Sequence, residues 1–265
     1  MTAIGFCDLT VSYNGIDAVV GFNDLLHSGE WLCLIGPNGA GKSSVLRAAA
    51  GLVPYTGSVA INQTEIPAAS ARWRAQHIAY VPQAPVIPTD MSVYEYVLLG
   101  RNPYIKHFAS ESAHDKQVIE KVLKRLDLTE FKKRMVGTLS GGERQRVGLA
   151  RALLSPAKIW LIDEPLSALD PTRARQAMDS LITHAKDHGI TLITSLHQVD
   201  VATSKFPRVI GLRDGKLVFD LPSGEVSKEL LADLYRQHEH ELYQNAPVLP
   251  DSPPEPAPVK IIHCR

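Results

Sequence analysis

The sequence predicts an α/β fold with a mainly parallel sheet, an N-terminal antiparallel β subdomain and an inserted α-helical subdomain. Three observations lead there. Continuous apolar runs at 31–35, 78–81, 159–162 and 190–196 have the texture of strands buried on both faces. Shorter apolar runs before residue 30 are broken by turn residues, as in antiparallel pairing. Between Val81 and Ile159 the spacing of apolar residues changes to that of helices.

Taken in order, residues 4–13 and 18–22 read as strands around Asn14-Gly15, a dipeptide that favours two-residue hairpins. The strand at 31–35 runs straight into a glycine-rich loop and a helix-like stretch at 45–50, the start of a crossover between parallel strands. Ser92 and Glu95 form a capping box that opens a helix through Leu99. Ser112 precedes a helix whose Val118, Val122, Leu123 and Leu126 share one face. Residues 172–188 carry Ala174, Ala177, Met178, Leu181, Ile182 and Ala185 as an apolar stripe that packs on the sheet. Asp214-Gly215 marks a second hairpin within 209–219, and 227–243 reads as a terminal helix. Six prolines between 247 and 258 make 246–265 a disordered or extended tail. The domain reading is one unit over 1–245, with a helical subdomain at about 84–156, followed by the tail.

Bulk properties limit the partners. Lysine plus arginine equal aspartate plus glutamate at 28 each, so no global field draws the chain to nucleic acid or anionic lipid. Residues 1–5 lack a basic, apolar leader, and no run of about 18 apolar residues occurs. The expectation is a cytosolic chain that meets a membrane only through a partner. Cys33, inside the apolar run 31–35, reads as a small core hydrophobe.

The chemistry concentrates in a few places. Gly36-Pro37-Asn38-Gly39-Ala40-Gly41-Lys42-Ser43 fits G-x-x-x-x-G-K-S with a buried strand before it and a helix after it. Its glycines let successive N–H groups curl around phosphate oxygens, Lys42 reaches the outer phosphates, and Ser43 offers a hydroxyl to Mg²⁺. The parallel core is therefore of the P-loop NTPase kind. Residues 159–164 form an apolar strand ending in Asp163 and Glu164: the first suits Mg²⁺, and the second suits a general base for an attacking water. Leu139-Ser140-Gly141-Gly142-Glu143 contains a capping box, and its two glycines also open a helix start to an anion. Since the chain already has one phosphate loop, this second site most simply serves another subunit's nucleotide. His184 and His188 stand at i, i+4 without the glutamate of a zinc motif and read as a solvated helix face.

In this order the motifs resemble the ATP-binding cassette family of ATPases, over about residues 4–220. Tyr13 matches the aromatic that stacks on adenine, and 36–43 the Walker A loop. Gln83, in Val81-Pro82-Gln83, matches the Q-loop, 139–143 the signature, and 159–164 the Walker B strand. Ser167-Ala168-Leu169-Asp170 matches the D-loop and His197 the switch histidine. The resemblance implies ATP and Mg²⁺ as cofactors. Tyr13, Gly36, Pro37, Asn38, Gly39, Ala40, Gly41, Lys42, Ser43 and Ser44 would contact the nucleotide, as would Ser140, Gly141, Gly142 and Glu143. Ser43, Gln83 and Asp163 would hold the metal, and Glu164, His197 and Gln83 would serve catalysis.

It also implies partners: a second copy or a paralogous ATPase subunit, transmembrane permease subunits and, indirectly, a solute-binding protein. Nucleic acid is not among them. The chain is then expected on the cytoplasmic face of the inner membrane, peripheral through the permease. Residues 77–104 and 139–153 look most like ATPases of iron-siderophore, haem and cobalamin import, the main expectation. Residues 195–200 and 212–235 resemble phosphonate-import ATPases, the alternative. A non-transport member such as a cluster-assembly factor is the alternative of another class.

Overall fold

The computed structural model describes residues 1–85, 87–105, 111–167, 169–236, 238 and 241. They form two units, one made of 1–69 with the residues from 191 onward, the other of 70–190. In chain order the first unit begins with β1 (Thr2–Tyr13), β2 (Ile16–His27), β3 (Trp31–Ile35), α1 (Lys42–Ala49), β4 (Thr56–Ile61) and β5 (Thr64–Glu65). The second unit holds α2 (Ala71–His77), β6 (Ile78–Val81), α3 (Val93–Leu98), α4 (Ala113–Arg125), α5 (Gly141–Leu154), β7 (Ile159–Asp163) and α6 (Pro171–His188). The chain then returns to the first unit with β8 (Thr191–Ser195), α7 (Val199–Lys205), β9 (Arg208–Arg213), β10 (Lys216–Pro222) and α8 (Lys228–Leu234).

In the first unit an antiparallel sheet runs in the order β2-β1-β4-β5. Its opening hairpin closes as the sequence expects, with Asn14 and Gly15 at φ 51° and 81°, the left-handed pair of a type I′ turn. β4 and β5 were not foreseen. They turn on Asn62 and Gln63, φ 47° and 67°, the same geometry without a glycine to announce it. Phe6 and Phe22 meet edge to face inside this sheet at 5.3 Å. The other strands lie in the order β10-β9-β3-β8, with β3 parallel to both β9 and β8. Leu32, Cys33, Leu34 and Ile35 of β3 and Val45, Leu46, Ala48 and Ala49 of α1 are all at most 1% exposed. Each of the larger ones contributes about 1.5–3 kcal/mol by leaving water.

One buried ionic group crosses this unit. Arg208 at the start of β9 reaches Asp24 on β2 at 2.5 Å and Asp220 on β10 at 2.6 Å. Burial pushes the Asp24 carboxyl up, with the Arg208 charge and hydrogen bond opposing it. Such a group is held in place because losing one partner would strand a buried charge.

In the second unit β6 and β7 pair in parallel from Ile78↔Ile159 to Val81↔Ile162. The expected Ser92–Glu95 capping box opens α3, and Ser112, expected only to precede a helix, opens α4 through a second box with Asp115; each satisfies helix-end N–H groups that would otherwise lack acceptors. Asp115 also takes a 2.7 Å ion pair from Arg101. Along α6, Ala174, Ala177, Met178, Leu181 and Ala185 of the expected stripe are at most 3% exposed, while Ile182 is half-buried. α2 and α7 had no sequence expectation. α8 ends at Leu234, where Tyr235 leaves helical geometry at φ −96°, and most of the remainder of the expected 227–243 lies outside the described residues. The tail 246–265 lies outside the described residues, and among those described no helix is long and apolar enough to cross a membrane.

The His184 face differs from its sequence reading. The His184 ring stacks on Trp160 of β7 at 5.2 Å and on His188 at 4.0 Å, so it is half-buried and not simply solvated. Burial, with help from the charges of His188 and Arg125, lowers its pKa to about 4 from an ordinary 6.5. The folded state therefore favours neutral His184. Its contribution is complete above pH 6.5 and is lost as pH falls from 6.5 toward 4, where the unfolded chain binds the extra proton. After allowance for solvent screening this amounts to about 1–2 kcal/mol. Urea melts of wild type and His184→Phe at pH 7 and 4.5 should show a smaller acid loss in the variant; equal losses would contradict the assignment.

Candidate nucleotide site

In the first unit β3 ends at Ile35 and the chain turns at Gly36, φ 144°, where a Cβ would lie 2.0 Å from the Leu212 carbonyl oxygen on β9. It turns again at Gly41, φ 100°, where a Cβ would lie 2.4 Å from the Ala18 carbonyl oxygen on β2. The loop is thus wedged between two strand backbones, and only glycine fits either contact. The β9–β10 hairpin tip locks it further: the Gly215 N–H donates to the Ala40 carbonyl at 3.3 Å, and the Val20 N–H donates to the Gly215 carbonyl at 2.8 Å.

Lys42 opens α1 and is 4% exposed. Its Nζ donates to the Gly36 and Pro37 carbonyls at 2.6 and 3.0 Å. Pro37, Ala40 and Ser44 are buried, Ser43 is half-buried, and Asn38 and Gly39 are exposed at the loop's outer edge. Two loop N–H groups bond to residues far along the chain: Gly36 donates to the Tyr235 hydroxyl at 3.2 Å, and Asn38 to Glu241 Oε2 at 2.9 Å. In the same unit Tyr13, 38% exposed, ends β1 with its ring accessible, and half-buried His197 follows β8 just before α7.

In the second unit the end of β7 presents the acids. Asp163 is fully buried. Glu164 follows with φ 46°, a left-handed conformation that costs a non-glycine residue about 1–2 kcal/mol. Neighbouring side chains hold it there. Gln83 Nε2 donates to the Glu164 carboxylate, while Gln145 Nε2 and Ser167 Oγ donate to the Glu164 carbonyl at 3.0 and 3.3 Å. Gln145 also donates to Ser167 Oγ at 3.2 Å. The sequence named Gln83, Glu164 and Ser167 but missed Gln145, which sits between Arg144 and Arg146 in the polar first half of α5 and carries no signal of its own.

Ser140 caps α5 as read: its N–H donates to Glu143 Oε2 at 2.7 Å, and the Glu143 N–H donates to Ser140 Oγ at 3.3 Å. The backbone hydrogen bond from Ser140 holds the Glu143 carboxyl below its usual range. Gly141 is exposed, and a Cβ there would meet nothing within 4 Å, so packing inside this chain does not require the glycine. Gly142 beside it is half-buried. Ala168 of the D-loop match lies outside the described residues.

Each residue expected to meet a metal offers an oxygen: in the first unit the Ser43 hydroxyl, and in the second the Asp163 carboxylate and the Gln83 amide oxygen, the Gln83 nitrogen serving Glu164. Oxygen donors are those that suit a hard cation such as Mg²⁺.

The family model for the ABC transporter matches residues 21–167. The chain belongs to the ABC transporter family. Phosphonates import ATP-binding protein PhnC 2 of Albidiferax ferrireducens is 44% identical over 253 residues, covering 92% of this chain and 91% of that one. Phosphonates import ATP-binding protein PhnC of a Polaromonas species is 43% identical over 246 residues, covering 90% and 89%. Among solved structures, a dimeric bacterial ABC transporter cassette is 28% identical with a TM-score of 0.76, covering 83% of this chain and 98% of that one. An inward-facing ABC transporter assigned to the metal-chelate type is 29% identical with a TM-score of 0.74, covering 89% of each. This ABC chain is an importer-type ATPase with ATP as its substrate, and its α/β fold with an antiparallel β subdomain and helical elements is that of the ABC cassettes.

Proposed function

We propose that this ABC ATPase drives import of a phosphonate-class solute through a separate permease. The observation that carries the reading is the two relatives named for phosphonate import, at 44% and 43% identity over about nine-tenths of both chains. It replaces the siderophore, haem or cobalamin expectation with the alternative suggested by residues 195–200 and 212–235. The metal-chelate reading keeps one observation in its favour, the 29% identical transporter structure. No observation favours a cluster-assembly role. Deleting the gene should abolish growth on methylphosphonate as sole phosphorus source, with rescue by the intact gene, and leave use of ferric siderophores, haem and cobalamin unchanged. Unimpaired growth on methylphosphonate with loss of siderophore, haem or cobalamin use would return the assignment to the metal-chelate class.

In the proposed cycle two copies, or one copy and a paralogue, face head to tail. ATP lies between residues 36–43 of one and 139–143 of the other. The Tyr13 ring stacks on adenine, the loop N–H groups and Lys42 hold the phosphates, and the Ser140 hydroxyl with the α5 start completes the cage from across the pair. Ser43, Asp163 and Gln83 would hold Mg²⁺, which when bound offsets charge developing on the phosphate oxygens. Glu164, aimed by Gln83, orients and deprotonates the attacking water, and His197 contacts the γ-phosphate and keeps Glu164 aligned. The helical lobe around 84–110 docks a permease helix, which places the protein peripherally on the cytoplasmic face of the membrane. A solute-binding protein acts through the permease.

A further inference from the structure

The C-terminal segment reaches the phosphate loop within the first unit, in a way the transport cycle above does not use. α8 ends at Leu234, and the next residue, Tyr235, is 1% exposed with its hydroxyl accepting the Gly36 N–H. Asp233 fastens the same turn. Its carboxylate lies 3.5 Å from the Arg213 guanidinium and 2.6 Å from that of Arg236, and Arg213 also donates to the Asp233 carbonyl. Arg213 is the last residue of β9, beside the hairpin tip that bonds Ala40 of the loop. Beyond this anchor Glu241 places Oε2 2.9 Å from the Asn38 nitrogen and Oε1 3.6 Å from His238 Nδ1. Its side chain is only 13% exposed, although the Asn38 it meets is at the exposed edge of the loop.

The Asn38 N–H belongs to the run of backbone donors that a glycine-rich phosphate loop turns toward phosphate oxygens. A carboxylate oxygen matches a phosphate oxygen in charge sign and acceptor geometry, and one N–H proton serves one strong acceptor at a time. Anionic groups of two sources therefore compete for one donor, and like charge keeps them from sharing it. The tether from Tyr235 to Glu241 is short, so the carboxylate acts at an effective concentration on the order of millimolar.

We propose that Glu241 is an autoinhibitory strap, an intramolecular competitor that holds the Asn38 N–H until nucleotide phosphate displaces it. This rests on the reading of residues 36–43 as the phosphate loop. Nucleotide binding and strap release are linked, so each opposes the other by the same factor. The charge matters more than the length of the side chain, because a neutral amide is a much weaker rival to a polyphosphate.

The test is calorimetric titration of ATP and ADP into full-length wild type, Glu241→Gln, Glu241→Ala and, as a control on α8, Glu229→Gln, an exposed position. Both Glu241 variants should bind nucleotide about threefold to tenfold more tightly, with Glu229→Gln unchanged. A gain of less than threefold, or weaker binding, in both Glu241 variants overturns the strap. Lys42→Ala, run alongside, separates the two ideas. If it binds ATP as wild type does, the loop reading fails and takes the strap with it. If it binds weakly while the Glu241 variants match wild type, only the strap fails.

Discussion

Glu164→Gln should bind ATP with close to wild-type affinity and hydrolyse it about 10²–10⁴-fold more slowly, the range a positioned general base supplies. The substitution keeps the size of the side chain and an oxygen for the Gln83 amide to donate to. The Gln145 and Ser167 hydrogen bonds go to the backbone carbonyl and are untouched. The left-handed backbone at φ 46° therefore persists, and what changes is the basicity of the group held there. Single-turnover hydrolysis alongside calorimetric ATP binding reads the two effects apart. Turnover at the wild-type rate would remove Glu164 from its role.

Lys42→Ala should weaken ATP binding about 10- to 100-fold, as the loss of one charge-assisted hydrogen bond predicts. Lys42 is 4% exposed, and its ammonium closes the loop on itself through the Gly36 and Pro37 carbonyls. The variant thus loses both the positive charge meant for the phosphates and part of what shapes the loop. A calorimetric Kd for ATP equal to that of wild type would show that the phosphates bind elsewhere.

What the sequence revealed follows from which constraints are local. The glycine-rich loop after β3 was legible because its glycines answer to steric contacts that no other residue tolerates, as at Gly36 and Gly41. The two hairpins with Asn-Gly and Asp-Gly turns were legible for a similar reason. The β4–β5 hairpin was not, since Asn62 and Gln63 take left-handed φ without glycine. α2 buries none of its residues and α7 only Ala202, so neither carries an apolar stripe to read. Tyr235 and Glu241 meet the loop across 199 and 203 residues of chain, and no spacing rule spans that distance. Gln145 needed the position of Glu164 before its role could be seen. The solute stayed ambiguous for a physical reason as well: in the proposed assembly the cassette touches nucleotide and permease but not cargo.

The proposal that ATP is enclosed by residues 36–43 of one copy and 139–143 of its twin is open to complementation. Gly141→Arg suits the purpose, because the position is exposed and a side chain there meets nothing within 4 Å in its own chain. Lys42→Ala and Gly141→Arg should each be nearly inactive alone. In an equal mixture half the pairs are mixed, and each of those rebuilds one intact site, so ATPase activity should recover toward about a quarter of wild type. A Gly141→Arg chain that hydrolyses ATP at full rate alone, or a mixture no more active than its parts, would contradict the shared cage.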